Sequence, residues 1–287
     1  MIELGADRYG KSAIRLVKVT RGPGGNVVRD LTIAIALEGD FGASYTAGDN
    51  TGVVATDTMK NTAYAFAKDR LDGSVEAYAR ALGGHFLEFD QVARATVTVR
   101  EHRWTPIATP AGPSPDAFSR DPSMTRLHVV TTTRDGAAVE AGVEDLAVMK
   151  TAKSSFEGFP RDGYTTLRNS TDRIMATQVS SRWRYASADR DHDALFDGIL
   201  ATMLAVFAEH ESPSVQASIW IIGKAILERH PDVEEISFAM PNLHHWLADL
   251  APFGLTNDNE VFIATREPHG LIEATVRRNG ARATERA

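Results

Sequence analysis

Cysteine is absent from the 287 residues of the chain. Its absence excludes disulfide bonds, thiolate catalysis and zinc sites with cysteine ligands. The chain also lacks any run close to the roughly 18 consecutive apolar residues that a membrane-spanning helix needs. Residues 1–11 lack the apolar core of a secretory signal, and residues 283–287 are not a Ser-Lys-Leu peroxisomal tail. We therefore expect a cytoplasmic protein of bacterial type that enters no membrane.

Common catalytic motifs are missing as well. The sequence has no Walker A loop, no G-x-G-x-x-G, no G-x-S-x-G and no H-E-x-x-H. Its histidines are scattered, apart from His244 and His245. Adjacent side chains on a strand point to opposite faces, so this pair is not spaced to share a metal ion. We expect no metal site. The net charge of −7 gives no general reason to expect a nucleic-acid partner, but it leaves room for a local basic pocket.

Apolar spacing and turn residues predict a mixture of strands and helices. Strands are predicted at 12–19, 27–37, 91–104, 125–133, 138–150, 173–185, 233–240 and 259–265, with 271–277 extending the last one. Helices are predicted at 56–68, 74–89, 192–210 and 214–229. Thr56 or Asp57 is the predicted N-cap of the first helix, and Ser74 opens the second. The four prolines within 109–123 predict a loop.

The order of these elements repeats along the chain. Two strands, two helices and two strands are followed by the same series, although the halves show no sequence identity that we can see. The order predicts an α+β protein with two similar modules, 1–136 and 137–287, each an antiparallel sheet with helices on one face. Such modules leave sheet edges that need pairing or covering. Closing several modules into an oligomeric barrel would satisfy that need.

Four stretches point to a known family. They are Tyr9-Gly10-Lys11, then GDNTGVVATDTMKNT (48–62), then FEGFPRDGYTTLRNSTDRIMAT (156–177), and finally SPSVQAS (212–218) continuing to MPNLHHWLADLAPFGLTNDNEVF (240–262). In this order and spacing the chain resembles the urate oxidase (uricase) family over nearly its whole length. The resemblance implies the tunnelling fold, with two modules in each chain and four chains stacked into a hollow barrel. It also implies a homotetramer with active sites at subunit interfaces.

The resemblance assigns roles to individual residues. It implies that the catalytic residues are Lys11, Thr56 and His244. The implied substrate-binding residues are Thr56, Asp57, Phe156, Leu167, Arg173, Val215, Gln216 and Asn242. Thr56 and Asn242 are also the implied oxygen site. One departure is Leu243, which stands between Asn242 and His244 where many family members carry lysine; a charge there would shift the titration of His244.

These residue types suit the oxidation of urate by molecular oxygen. Urate is a flat anion, so Arg173 can hold it with a planar two-donor fork, Gln216 with an amide, and Phe156 by stacking. Removing a further proton makes urate a better electron donor, and Lys11 is the candidate base, with Thr56 as the proton relay. The expected products are 5-hydroxyisourate and hydrogen peroxide. This chemistry requires no metal or flavin, and we expect no cofactor.

Taken singly, the same residues have ordinary interpretations. Thr56 and Asp57 suit a helix N-cap, and Arg173 suits an ion pair with Asp172 or Asp162. Two alternatives to the urate assignment also remain at this point. One is another tunnelling-fold purine or pterin enzyme, such as a cyclohydrolase or aldolase. The other is a purine-binding scaffold without catalysis, which would bind urate but not turn it over.

Overall fold

The computed structural model describes residues 2–280. Residues 281–287 lie outside the described part, and with them the tail at 283–287 that was compared with a peroxisomal signal. The chain divides into two compact units. Unit 1 comprises Met1–Gly142 and Arg184–Ala194, and unit 2 comprises Val143–Trp183 and Leu195–Ala287. The boundary therefore falls inside one long strand.

Unit 1 is built on an antiparallel sheet. Its elements are β1 (Tyr9–Thr20), β2 (Val27–Gly39), α1 (Gly42–Thr46), α2 (Thr56–Arg70), α3 (Val75–Phe86), β3 (Val92–Glu101), β4 (Trp104–Thr109), β5 (Gly112–Arg120), β6 (Thr125–Thr133) and the beginning of β7 (Gly136–Lys150). The strand order is β1-β2-β3-β6, and each neighbouring pair is antiparallel. Helix α3 packs on β3 and β6, and α2 packs on β1.

The core of unit 1 lies between this sheet and the helices. Alternate residues of β2, among them Ile33 and Ile35, are buried because successive side chains on a strand point to opposite faces. Tyr78, Leu82 and Phe86 on α3 are likewise fully buried. Their helical spacing places one apolar stripe of α3 against the sheet.

Unit 2 repeats the plan. Its elements are the end of β7, then β8 (Met175–Tyr185), most of α4 (His192–Glu209), α5 (Val215–Arg229), β9 (Val233–Leu243), β10 (His245–Leu247), a 3₁₀ turn (Ala251–Phe253), β11 (Phe262–Ala264) and β12 (Gly270–Arg277). The strand order is β7-β8-β9-β12. Helix α5 packs on β9 and β12. The prediction of two tandem α+β modules with antiparallel sheets is confirmed.

The last α-helix of each module begins in the same way. Ser74 caps α3 and Ser214 caps α5, and each side chain accepts a hydrogen bond of 3.1 Å from the backbone N–H three residues later, at Ala77 and Ala217. The cap predicted at Ser74 is therefore confirmed. Such a bond satisfies one of the backbone donors that a helix leaves free at its N-terminus.

Three local predictions are wrong. The N-cap of α2 is Ala55, so Thr56 and Asp57 are helical residues and not caps. The predicted loop 109–123 contains β5, which pairs with β4 in a separate two-stranded ribbon; each strand there has a free edge that tolerates proline. The strand predicted at 259–265 shrinks to β11, which pairs with β10. The 271–277 segment does not extend it: β12 is a strand of its own, paired with β9. Pro268 interrupts the chain between them, because it has no N–H to donate.

Candidate functional site

Lys11 lies on β1 where the strand leaves its regular pairing with β2. It pairs with Ile35, and the register shifts directly after it. The preceding Gly10 lets the strands approach closely, because a Cβ there would lie 1.9 Å from the carbonyl oxygen of Ile35. Lys11 is half-buried and lines a cleft of about 310 Å³ together with Thr96 and Thr98. The Tyr-Gly-Lys motif thus places a lysine at a cleft of mixed polar and apolar lining.

Tyr9 ties this strand to the start of α2. Its hydroxyl donates to the carbonyl oxygen of Val54 (3.2 Å) and accepts from the N–H of Val54 (2.8 Å). Its ring meets the edge of Phe41, with the ring centres 4.7 Å apart. These contacts hold the segment just before Thr56 close to the strand that carries Lys11. Tyr9, which has no predicted role of its own, therefore connects β1 to the start of α2.

Thr56 and Asp57 are the first two residues of α2, the former half-buried and the latter exposed. The carboxylate of Asp57 accepts hydrogen bonds from the side chains of Lys60 and Asn61, the latter at 2.9 Å. The hydrogen bond and charge of Lys60 lower the pKa of Asp57, and the charge of Lys11 acts in the same direction. The structure therefore brings Lys11, Thr56 and an ionised Asp57 into one region of unit 1.

Phe156 and Arg173 lie in unit 2, on the 151–174 loop between β7 and β8. The guanidinium carbon of Arg173 is 5.3 Å from the centre of the Phe156 ring. The ring of Phe159 stacks on Phe156, with centres 5.0 Å apart and planes 11° from parallel. The loop therefore carries two stacked aromatic rings with the guanidinium of Arg173 beside them. Leu167, on the same loop, is 44% exposed.

Arg173 has a partly buried guanidinium with a nitrogen that lacks a partner. Burial lowers the pKa of its guanidinium, and its buried Nε has no hydrogen-bond partner among residues 2–280. The two carboxylates proposed above as ion-pair partners are engaged elsewhere. Asp172 accepts from the backbone N–H of Ser154 (3.3 Å), and Asp162 accepts from that of Tyr164 (3.0 Å).

Val215 and Gln216 begin α5. Val215 is buried at 3% exposure, whereas Gln216 is exposed. The first N–H groups of a helix lack partners within the helix and carry a partial positive charge. The N-terminus of α5 therefore offers backbone donors beside a side-chain amide, which is a pair of groups suited to a carbonyl-bearing anion.

Asn242 and His244 lie at the end of β9. Asn242 is a half-buried residue of the strand, and His244 follows it directly after Leu243. The His244 ring stacks on Trp246, with centres 5.1 Å apart. Burial lowers the pKa of His244, and the charge of Arg173 is the next largest cause. Arg173 and His244 thus belong to one electrostatic environment in unit 2.

The predicted site residues form two groups. One, in unit 1, holds Lys11, Thr56 and Asp57; the other, in unit 2, holds the remaining seven, namely Phe156, Leu167, Arg173, Val215, Gln216, Asn242 and His244. Within residues 2–280 no group of three or more His, Asp or Glu side chains is arranged to hold a metal ion. In the same part of the chain no helix is long and apolar enough to cross a membrane.

These observations define a class of protein: a chain with two tandem tunnelling-fold modules, each an antiparallel sheet covered by helices on one face. The family model described as Uricase matches residues 7–131 and 139–273. The chain therefore belongs to the Uricase family. Its activity is that of a urate oxidase, an oxidoreductase of purine degradation.

Individual relatives agree with this assignment. The uricase of Arthrobacter globiformis is 46% identical over 98% of this chain and 92% of its own length. The uricase of Dictyostelium discoideum is 36% identical over 96% of this chain and 98% of its own length. The crystal structure of the Arthrobacter globiformis uricase superposes with a TM-score of 0.94, at 45% identity, over 99% of this chain and 98% of that one.

Proposed function

We propose that urate is bound by residues of unit 2 and of another copy of the chain, and that three catalytic residues activate it. The unit 2 residues that bind it are Phe156, Leu167, Arg173, Val215, Gln216 and Asn242, and the other copy adds Thr56 and Asp57. The catalytic residues are Lys11 and Thr56 of that copy and His244 of unit 2. The observation that carries this proposal is the pairing of Arg173 with Phe156. A guanidinium whose buried Nε is unpartnered within residues 2–280 lies beside a half-buried aromatic ring. A flat anion stacked on that ring would present its oxygen and nitrogen atoms to the fork of Arg173.

Gln216 and the backbone N–H of Val215 complete the purine-binding clamp, by which we mean Phe156, Arg173, Val215 and Gln216. The amide of Gln216 offers one donor and one acceptor, which matches an adjacent C=O and N–H of the purine. Leu167 and Asp57 contribute contacts at its margin. The clamp fixes the orientation of the purine ring within its plane. One face of the purine then lies against Phe156, and the other face is open to oxygen.

Proton removal is the task of Lys11 and Thr56. Lys11 accepts a proton from bound urate, and the Thr56 hydroxyl relays it. The further negative charge raises the energy of the urate electrons, so that two of them pass to O₂. Water adds to the oxidised ring, and the products are 5-hydroxyisourate and hydrogen peroxide. Asn242 and Thr56 hold oxygen, and later water, above the ring.

His244 controls the protonation state of this relay. Its lowered pKa keeps the imidazole neutral over more of the neutral range than an ordinary histidine. A neutral ring can accept a proton through water from the Lys11–Thr56 pair. The neighbouring Leu243 adds no charge, so Arg173 is the principal cation that acts on His244.

We propose a homotetramer as the working form, with modules 1–136 and 137–287 closing into a barrel. Each chain then gives its Lys11 group to one site and its clamp to another. The proposal is supported by the placement of the two groups in different units. It is also supported by β1 and β12, which are the edge strands of the sheet formed by the described residues.

The test is turnover of urate by the purified protein, with urate absorbance, oxygen uptake and peroxide followed together. We expect equal loss of urate and O₂, and an unchanged rate after metal chelation. Lys11→Ala should lower kcat by about 10²-fold or more with little change in urate affinity, because a general base acts in the transition state. Arg173→Ala should chiefly weaken binding. Urate binding without oxygen uptake in the unaltered protein would overturn the proposal.

A further inference from the structure

Ser212 joins the two parts of the purine-binding clamp. Its N–H donates to the carbonyl oxygen of Lys153 (2.9 Å), and its carbonyl oxygen accepts from the N–H of Ser155 (2.8 Å). Ser154, between them, accepts from the N–H of Arg173 at 2.8 Å. The loop that carries Phe156 and Arg173 is therefore held by backbone hydrogen bonds to Ser212, which lies three residues before the start of α5.

A chain of side-chain hydrogen bonds fixes Ser212 in turn. The hydroxyl oxygens of Ser212 and Ser218 are 2.7 Å apart, and the Ser218 oxygen lies 2.8 Å from Nε2 of His210. Ser212 and Ser218 are 1% and 0% exposed, so water does not compete for these bonds. Ser218 is the fourth residue of α5, in the same first turn as Val215 and Gln216.

The direction of this chain is set by a carbonyl group. Nδ1 of His210 lies 2.7 Å from the carbonyl oxygen of Val206, which can only accept, so Nδ1 carries the proton. Nε2 then accepts from the Ser218 hydroxyl, and the Ser218 oxygen accepts from that of Ser212. Burial lowers the pKa of His210, and the charge of Lys150 adds to that, which keeps the imidazole neutral and its Nε2 an acceptor.

We propose that Ser218 is a positioning residue for the clamp, because it fixes Ser212 and so sets the separation between the 151–174 loop and the N-terminus of α5. Ser218 touches no substrate in this account. It holds Arg173 and Phe156 at the distance from Gln216 that a purine needs. This inference rests on the proposed role of the clamp, and it adds Ser212, Ser218 and His210 to the residues that determine urate affinity.

The test compares Ser218→Ala, Ser212→Ala and the double variant. Urate KM and kcat are measured, together with the Kd of xanthine, a purine with two of the three carbonyl groups of urate. We expect each single variant to raise KM and the xanthine Kd about tenfold, with kcat within about threefold of the unaltered protein, because the Lys11 group is untouched. The double variant should be no worse than either single one, since both remove the same link.

Two controls separate positioning from general damage. Ser237→Ala removes a serine hydroxyl of unit 2 that bonds to the carbonyl oxygen of Arg182 (3.1 Å) outside this network, and it should leave KM unchanged. His210→Gln, which keeps an acceptor for Ser218, should raise KM less than His210→Leu does. Additive effects of the two serines, or unaltered KM and Kd in both, would overturn the inference. Because xanthine binding needs no turnover, the xanthine Kd tests this inference even if the protein does not oxidise urate.

Discussion

Gly83 and Gly223 occupy the same place in the two modules: each is the ninth residue of its helix, α3 or α5, and each lies against the last strand of its module's sheet. A Cβ at Gly83 would lie 2.5 Å from Oγ1 of Thr132, and one at Gly223 would lie 2.6 Å from Cγ2 of Val276. The missing side chain lets the helix approach the sheet, so the modules share a packing solution as well as an order of elements.

The first prediction follows from this contact. Gly83→Ala and Gly223→Ala should each lower the free energy of unfolding by about 1–2 kcal/mol, because overpacking of about 1–3 kcal/mol exceeds the helix propensity gained. Gly84→Ala is the control. A Cβ at Gly84 meets nothing within 4 Å, so this change should stabilise by up to about 1 kcal/mol. Urea unfolding of the three variants measures these free energies of unfolding. Equal effects at Gly83 and Gly84 would contradict the packing argument.

Part of the likeness between α3 and α5 can be recognised in the sequence. Ser74-Val75-Glu76-Ala77 and Ser214-Val215-Gln216-Ala217 are nearly the same four residues, and the glycines follow at the same distance. The expectation that the halves share no identity is therefore wrong for these helix starts. Turn residues and alternation were sufficient to locate most strands, since these depend on neighbours in the chain.

Other features depend on contacts between distant residues and gave no local signal. Thr56 looked like an N-cap because its residue type suits one, but the helix has its N-cap at Ala55, directly after Val54, which is bound to Tyr9 from a distant strand. The hydrogen bond between Ser218 and Ser212 could not be predicted from the sequence either. Serines are common, and only the fold brings these two hydroxyls together in a buried place.

The second prediction concerns Tyr9. Tyr9→Phe removes both hydrogen bonds to Val54 and should lower kcat about tenfold, since Thr56 is no longer held beside Lys11 and misplaced groups cost rate. The clamp lies in unit 2, so the Kd of xanthine should stay the same. Tyr164→Phe, at a side chain with 93% exposure, is the control. An unchanged kcat in Tyr9→Phe would show that the hydrogen bonds between Tyr9 and Val54 do not position Thr56 beside Lys11.

The third prediction concerns a buried ion cluster in unit 1. Nδ1 of His128 lies 2.8 Å from Oε1 of Glu76, and Nε2 lies 3.4 Å from Oε2 of Glu101. Burial opposes these charges, but the carboxylates outweigh it and raise the pKa of His128. Against the same burial, His128 and Arg126 lower the pKa of Glu76 from 4.5 to about 2.

The signs give a pH window for the stability of unit 1. The Glu76 contribution is complete above its ordinary pKa of 4.5 and is lost as the pH falls to about 2. The His128 contribution is complete below its ordinary pKa of 6.5 and declines as the pH rises through its raised folded value. The cluster therefore stabilises most between these two ordinary values.

Removing one partner tests this cluster. His128→Ala removes the imidazole between two buried carboxylates and leaves Glu76 with Arg126 and Glu101 with Arg29. It should cost up to about 3–5 kcal/mol, with the loss greatest at mildly acidic pH. Asp189→Asn breaks the exposed ion pair with Arg80 (2.7 Å) and should cost less than about 1 kcal/mol. Unfolding curves measured from pH 4 to pH 8 suffice. A cost for His128→Ala that does not depend on pH would contradict the assignment of a charged imidazole.

The fourth prediction concerns the residue beside His244. Leu243→Lys adds a cation next to a ring whose pKa burial and Arg173 already lower. The charged form becomes less favourable, so the pKa falls further and the acid limb of the kcat profile should move to lower pH. Leu243→Met, similar in size and uncharged, should leave the limb in place. A limb that does not move, or that moves upward, would show that neutral His244 is not the active form.

The most direct test of the whole account is complementation between two inactive chains. Lys11→Ala chains keep the clamp, and Arg173→Ala chains keep the base. If each site draws its two groups from different chains, co-folding the two variants should regenerate activity in roughly a quarter of the sites, as random pairing in a symmetric assembly requires. Lys11→Ala mixed with Thr56→Ala, which damages the same group twice, should regenerate none. No recovery in the first mixture would contradict a site shared between chains.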